Sequence, residues 1–327
     1  MTRRTFLHHS VRTIIATTVA VTAVLPNVAH SQPYPHKVVK MIIPFPPGGT
    51  LDFVGRALAQ KLGESMGQTF IVENRAGGNG FVGADAVAKA PADGYTLLFN
   101  ASTFVTGPMV AKAPYDVQKD FVPIALVAQA PLAVSVTNGL PVKDLAGLIA
   151  HAKAHPGQLN FAIGSTGSAG HLATELLKKT ANINLSIVPY KGTAPAMQDL
   201  VGGQIEGFID PLLGAMSFYK SGRLRILAIT SKTRLPNLPE LPTVAETIPG
   251  YEFYSWYGLW APAGTPTEVV NKLNAEVNKA LQGDLKDKLE AQGLIVGGGT
   301  VDDMARFQRS DMAKSQKLIS EGNIRAQ

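Results

Sequence analysis

Val38-Val39-Lys40-Met41-Ile42-Ile43-Pro44 opens the stretch that decides the fold, and Phe45-Pro46-Pro47-Gly48-Gly49-Thr50 follows it. Leu51, Val54, Leu58 and Leu62 then recur three and four residues apart. A β-branched apolar run reads as a strand, a Pro/Gly cluster ends it, and the spaced apolar residues form one face of a helix. The same sentence is repeated downstream. Phe70-Ile71-Val72 is a second strand, Gly83–Ala90 a helix of small residues packed close to a sheet, and Tyr95–Phe99 a third strand. A β-α-β-α-β order calls for parallel strands.

A second unit of the same kind begins after Pro141. Val142–Ala154 reads as a helix, Leu159–Ile163 as a strand, and Leu172, Leu176 and Leu177 mark the next helix. Ile187-Val188 is a strand, and Met197, Leu200 and Val201 mark a helix ended by Gly202-Gly203. Ile205–Ile209 and Ile226–Ile229 complete the unit as strands. The third section differs. Tyr251–Ala261 is an aromatic strand holding both Trp residues, and Thr265-Pro266-Thr267-Glu268 has the form of a capping box opening a helix. Gly283 stops that helix, and 300–320 reads as a long final one. These C-terminal helices must pack on a unit already built. The economical topology has two α/β domains, 32–131 plus 253–327 and 132–252. The two crossing segments make a hinge beside a cleft.

Composition narrows the class. The chain has 327 residues, 45% hydrophobic and 17% charged, which excludes a disordered or low-complexity protein. It has no Cys, so disulfides, thiolate catalysis and Cys-based metal sites are excluded. Arg3, Arg4 and Arg12 carry three of the six excess positive charges. An apolar run from Ile14 to Leu25 follows, too short to span a bilayer, and Ala29-His30-Ser31 has the small residues of a cleavage site. Residues 1–31 therefore read as an export signal. Thr2-Arg3-Arg4-Thr5-Phe6-Leu7 fits a twin-arginine signal, and an ordinary Sec signal fits equally. The remaining chain has no basic block for nucleic acid or membrane. A soluble periplasmic product follows.

Three Gly-rich turns stand at strand ends just before helices: Pro47–Thr50, Gly164–Gly170 and Lys191-Gly192-Thr193. In open α/β sheets ligands bind outside the carboxyl ends of the strands. Helix N-termini offer unpaired N–H groups and a positive dipole end, which suits an anion. Each turn alone also fits plain cap chemistry. Enzyme motifs are missing: there is no Gly-x-Ser-x-Gly elbow, no Walker A, and no register for a dinucleotide fingerprint. His151 and His155 fit a solvated helix face, with Ala152 where a zincin carries Glu. No cofactor or metal is expected. His171, in the first turn after the Ser/Gly loop, suits either a ligand donor or a structural role. Asp210, at a strand end, suits either a ligand acceptor or a cap on the helix opening at Pro211. Asp52 suits interaction with its helix dipole better than contact with an anion. The aromatic run at Tyr251–Trp260 suits core, hinge or cleft.

The same residues resemble a known family. Pro44-Phe45-Pro46-Pro47-Gly48-Gly49-Thr50-Leu51-Asp52, Val72-Glu73-Asn74-Arg75 with Gly77-Gly78-Asn79, and Asp93-Gly94-Tyr95-Thr96-Leu97-Leu98 stand in its order. Val188-Pro189-Tyr190-Lys191-Gly192 and Trp256-Tyr257-Gly258-Leu259-Trp260-Ala261-Pro262-Ala263-Gly264-Thr265-Pro266 complete the match. The chain resembles the solute-binding receptors of tripartite tricarboxylate transporters, the Bug family, over essentially all of its length after the signal. The resemblance implies an α/β, type II periplasmic-binding-protein fold, with two α/β domains joined by a two-strand hinge. It implies a ligand carboxylate held by Gly48, Gly49 and Thr50. The opposite end of the ligand then meets Ser165, Thr166, Gly167 and Ser168, with Gly170 and His171 close by and Tyr190 and Asp210 shaping selectivity. Phe45, Asp52 and Ser102 complete the candidate set. Within Asn100–Val105, Phe104 and Val105 stand where many relatives carry a more polar loop, which implies a less polar pocket.

The function implied is capture of a small carboxylate (dicarboxylate, amino acid or aromatic acid) and delivery to membrane permease subunits, without catalysis, by a monomer. A sensing subunit is an alternative of another class. A periplasmic hydrolase is a third, and only His171 near Ser165 or Ser168 offers it a nucleophile and base.

Overall fold

In the structure, a computed structural model describing residues 33–322 and Ile324, the opening stretch folds as β1 (Val39–Ile43) and α1 (Thr50–Met66). The export signal assigned to residues 1–31 lies outside the described residues. β1 is buried on both faces. Val39, Met41 and Ile43 join one core layer and Ile42 another, as period-two alternation requires. Val54, Leu58 and Leu62 of α1 cover the first of these layers. β2 (Phe70–Asn74), α2 (Phe81–Ala88), β3 (Thr96–Ala101) and α3 (Thr103–Val110) follow. β1 pairs in parallel with both β2 and β3.

β4 (Phe121–Thr137) is the strand that organises the molecule. After it come α4 (Leu145–Ala154), β5 (Asn160–Ile163), α5 (Ala169–Ala181), β6 (Ser186–Pro189) and α6 (Thr193–Val201). β7 (Gly207–Pro211), α7 (Leu212–Lys220), β8 (Leu224–Ile229), α8 (Val244–Thr247) and β9 (Tyr254–Pro262) come next. α9 (Thr267–Ala280), α10 (Asp284–Glu290), β10 (Ile295–Val296) and α11 (Val301–Gly322) close the chain. The strand order is β2-β1-β3-β9-β4-β7-β5-β6, with β8 and β10 also pairing β4. The first part of β4, through Pro131, is antiparallel to β9, and the part from Leu132 is antiparallel to β7 and β8. One strand thus belongs to two half-sheets.

Each half-sheet is covered on both faces. On the first, α1, α9 and α10 pack on one side and α2, α3 and α11 on the other. On the second, α4 and α5 face one side and α6 and α7 the other. The C-terminal helices pack on the first half-sheet, as their lack of strands required. Trp256 and Trp260 are fully buried beside Phe104, and the Trp260 indole donates to Gln308 at 2.8 Å.

Several boundaries differ from the sequence reading, among them those of α4, β7 and α9. α4 starts at Leu145, because Asp144 accepts the Gly147 N–H at 2.7 Å and caps it there. β7 starts at Gly207. No capping box forms at Thr265: its hydroxyl donates back to the Pro262 carbonyl at 2.8 Å, and α9 starts from an uncapped Pro266. The reciprocal box occurs instead between Thr243 and Glu246.

Candidate functional site

The three Gly-rich turns meet around one cavity. They lead from β1 to α1, from β5 to α5 and from β6 to α6, and all emerge at strand C-termini. Gly48 and Gly192 have φ of 96° and 109°, so these turns need residues without a Cβ penalty. The Gly192 N–H donates to the Gly164 carbonyl at 2.7 Å, which ties the second turn to the third. A Cβ on Gly192 would lie 3.3 Å from Pro46, so the first turn faces the third across the cavity. The free volume is about 80 Å³. At ~10–15 Å³ per water-sized group, that is room for one small molecule.

No Lys, Arg or His is among the residues lining this space. α1 and α6 enter it through Gly49 and Gly192, neither of which supplies a side-chain cap. Their first N–H groups have no intrahelical acceptor. α5 is different, since the Ser168 hydroxyl accepts the His171 N–H at 3.2 Å. Three buried side-chain oxygens at the cavity have no hydrogen-bond partner: Thr50 Oγ1, Tyr257 OH and Asp210 Oδ2. Native proteins rarely leave such groups unpaired, and a ligand is one way of satisfying them. Burial pushes the Asp210 carboxyl up to about 7, opposed only by the Thr193 hydroxyl. Burial likewise raises the Tyr257 phenol.

Of the expected site residues, Phe45, Gly49, Thr50, Asp52, Ser165, Ser168, Gly170 and Asp210 line the cavity, whereas Gly48, Ser102, Thr166, Gly167, His171 and Tyr190 do not. The Gly48 N–H is held by Asp52 Oδ2 at 3.2 Å. Burial alone would raise the Asp52 carboxyl, but hydrogen bonds from Arg56, Asn74 and Gly48 outweigh it and hold the group below its ordinary value. The Thr166 and Gly167 carbonyls accept from Asn79 Nδ2 at 2.8 Å and Thr106 Oγ1 at 2.6 Å, bonds that tie the second turn to the first half-sheet. Tyr190 turns away and donates to Asp199 at 2.6 Å; burial and this bond push its phenol up to about 12. Asp210 does not cap α7, which has no side-chain cap. Phe104 and Val105 are buried in the core and do not line the cavity as expected, and Thr103 lines it instead.

The sequence left the Tyr251–Trp260 run open between core, hinge and cleft and did not single out Ser255 and Tyr257, which line the cavity. Alternation along β9 sends Trp256 and Trp260 to one core layer and turns Ser255 and Tyr257 to the other face. Thr193 stood in the third turn but was not singled out.

Comparison with known proteins decides the family. The profile described as the tripartite tricarboxylate transporter family receptor matches residues 54–324. The chain belongs to this family. The receptor is 37% identical to BugT of Bordetella pertussis over 88% of this chain and 90% of that protein. Among solved structures, R. palustris Rpa4515 with adipate superposes with a TM-score of 0.87 at 39% identity, covering 89% of this chain and 99% of that one. MatC (Rpa3494) from Rhodopseudomonas palustris with bound malate gives 0.82 at 30% identity, covering 88% and 100%. The periplasmic-binding-protein fold expected from the sequence is therefore the fold of this receptor. The second and third turns lie within the matched residues.

The nucleophile reading has no geometry behind it. In this receptor His171 Nδ1 accepts the Gly167 N–H at 3.0 Å, and no hydrogen bond joins the ring to Ser165 or Ser168 among the described residues. Burial pushes the imidazole below its ordinary value, with Glu175 opposing and Lys178 adding to the effect. His171 holds the turn's shape from behind.

Proposed function

We propose that the receptor captures a small carboxylate in this cavity and delivers it to membrane permease subunits of a tripartite tricarboxylate-type transporter. One observation carries the reading. Two uncapped helix N-termini, from opposite half-sheets, face a single cavity that no cationic side chain lines. Fixed N–H groups and helix dipoles suit an anion held without a guanidinium. The relatives solved with adipate and with malate support the same class of ligand.

One carboxylate end rests on Gly49 and Thr50, and the other end meets Ser165 and Ser168. Residues 32–131 plus 253–327 act as one domain and 132–252 as the other, with β4 and β9 as the hinge. A ligand that contacts both sides favours the closed state, because closure follows differential affinity. The first 31 residues direct export to the periplasm, and the receptor works there as a monomeric carrier without turnover.

The test is a thermal-shift screen of the mature chain, unfolded and refolded to strip any bound ligand, against small carboxylates and their amides. A ligand at a hundred times its dissociation constant stabilises by about 2.7 kcal/mol. A shift with an acid but not with its amide is the expected result. Equal shifts for acid and amide, or none with any acid, would sink the reading.

A further inference from the structure

The inner end of the cavity holds an acid that no cation faces. Asp210 closes β7 at 8% exposure, and its Oδ2 has no hydrogen-bond partner. The groups around it come from several elements. α6 offers the Thr193 hydroxyl and β9 the Tyr257 phenol, with the Thr50 hydroxyl of α1 beside that phenol on the same wall. Gly164 of the second turn and Gly214 of α7 also stand close, a Cβ built on either lying within 3.8 Å of the carboxyl. Asp52, also on the wall, is neutralised by Arg56 at 3.0 Å. His171, on the helix packed against β7, is turned to the Gly167 amide, and Lys191, two residues before Thr193, is exposed. Among the described residues nothing positive is aimed at Asp210.

A carboxylate ligand entering such a site brings a second negative charge to a buried acid. Two carboxyl groups that share a dry site do not both ionise; one keeps a proton and donates it to the other. We propose that Asp210 engages the bound anion as a carboxylic acid, so that ligand capture takes up one proton from solution. The balance is simple: an ionised Asp210, a ligand carboxylate and one solvent proton give an O–H···O⁻ pair. Only the O–H bond is made. Asp210 thereby selects an acceptor group in the ligand and rejects an ammonium or amide donor at that end. The Thr50 and Tyr257 hydroxyls donate to the same region.

The expected pH response follows. Burial pushes the Asp210 carboxyl up to about 7, which favours the acid at pH 6 and the carboxylate at pH 8. A site that binds only through the protonated form loses about tenfold in affinity across that interval.

This inference rests on the carboxylate reading of the cavity, and the experiment separates the two. Adipate and malate are titrated calorimetrically into the refolded wild type and Asp210→Asn at pH 6, 7 and 8, in buffers of differing ionisation heat. Wild type should bind about tenfold more weakly at pH 8 than at pH 6, with proton uptake approaching one at pH 8. Asp210→Asn offers an amide N–H in place of the acid proton. It should still bind at pH 6, with an affinity set by the weaker amide donor, and show no pH slope and no proton uptake. Melting curves of the two proteins confirm folding. Wild-type affinity that is flat, or that tightens toward pH 8, overturns the proposal alone, as does a folded Asp210→Asn that keeps the wild-type slope or fails to bind at pH 6. Binding of neither acid by wild type at any pH overturns the carboxylate reading and this inference together.

Discussion

Ser168→Asp tests the anion site without disturbing the fold. Ser168 lines the cavity and caps α5, its hydroxyl accepting the His171 N–H at 3.2 Å. Asp is as good an N-cap as Ser, so the helix start should be kept within a few tenths of a kcal/mol. The helix dipole and the accepted N–H hold the new carboxylate ionised, and residue 168 is only half-buried. A ligand carboxylate about 4 Å away would then be opposed by ~4 kcal/mol at an effective dielectric near 20. That is a loss of about a thousandfold. Ser168→Asn is the control, with the same shape and cap but no charge. Calorimetry with adipate and malate on both variants isolates the charge effect, and their melting temperatures should agree. Ser168→Asp binding within tenfold of Ser168→Asn would refute the placement of the anion beside the second turn. High salt should relieve little of the loss, because the charges meet inside the cavity.

Asp52→Asn should destabilise by roughly 1–2 kcal/mol at pH 7, as the carboxylate that holds Gly48, Arg56 and Asn74 is lost. The folded Asp52 value is depressed, so its contribution is present above the ordinary carboxylate range and fades as pH falls below about 4; urea titrations at pH 3 and 7 show whether the gap closes. Asp210 has the opposite sign. Its value is raised to about 7, so its contribution is complete below about pH 4 and is lost as pH rises through about 7. Measured without added ligand, Asp210→Asn should gain on wild type by roughly 4 kcal/mol between pH 4 and 8, and equal pH profiles for the two proteins would contradict the burial argument. Gly170→Ala would place a Cβ 2.1 Å from the Ile209 carbonyl, a backbone contact that no rotamer relieves. It should cost at least ~1–3 kcal/mol, read as a lowered denaturation midpoint.

The fold was legible where local signals agreed. The β-branched run, the Pro/Gly turn and the spaced apolar residues of 38–62 name strand, turn and helix independently, and β1 and α1 follow them closely. Asp144 shows where agreement fails. An apolar pattern ran on to Val142, but a cap at Asp144 starts the helix later. Thr265 had the spelling of a capping box, yet its hydroxyl found the Pro262 carbonyl, a contact set by the end of β9. The turns that bound the cavity were legible to the same depth. Gly, Ser and Thr at strand ends mark the turns, because those turns need positive φ and helix starts. Which side chains finish the cavity depends on the face that a distant strand turns inward. Ser255 and Tyr257 carry no local mark of that, and Phe104 carries no mark of being core. Tyr190 was misplaced for a related reason: Asp199, nine residues on, takes its hydroxyl.

The placement of Arg56 bears on the proposal that the cavity holds an anion without a cation. Its guanidinium is held by Asp52 and by Asn74 Oδ1 at 2.6 Å, so it fixes the first turn and does not line the cavity. A guanidinium in the cavity would add charge-assisted bonds and lengthen the bound lifetime. A carrier that must surrender its ligand gains nothing from that. Fixed amides and hydroxyls orient an anion with no side-chain ordering to undo at release. With Asp210 at the inner end, affinity carries a proton term that an arginine would abolish. On the proposed reading, an anion site built from helix starts and one buried acid ties capture to local pH. The same architecture with a buried Arg would bind across the whole neutral range and release slowly everywhere.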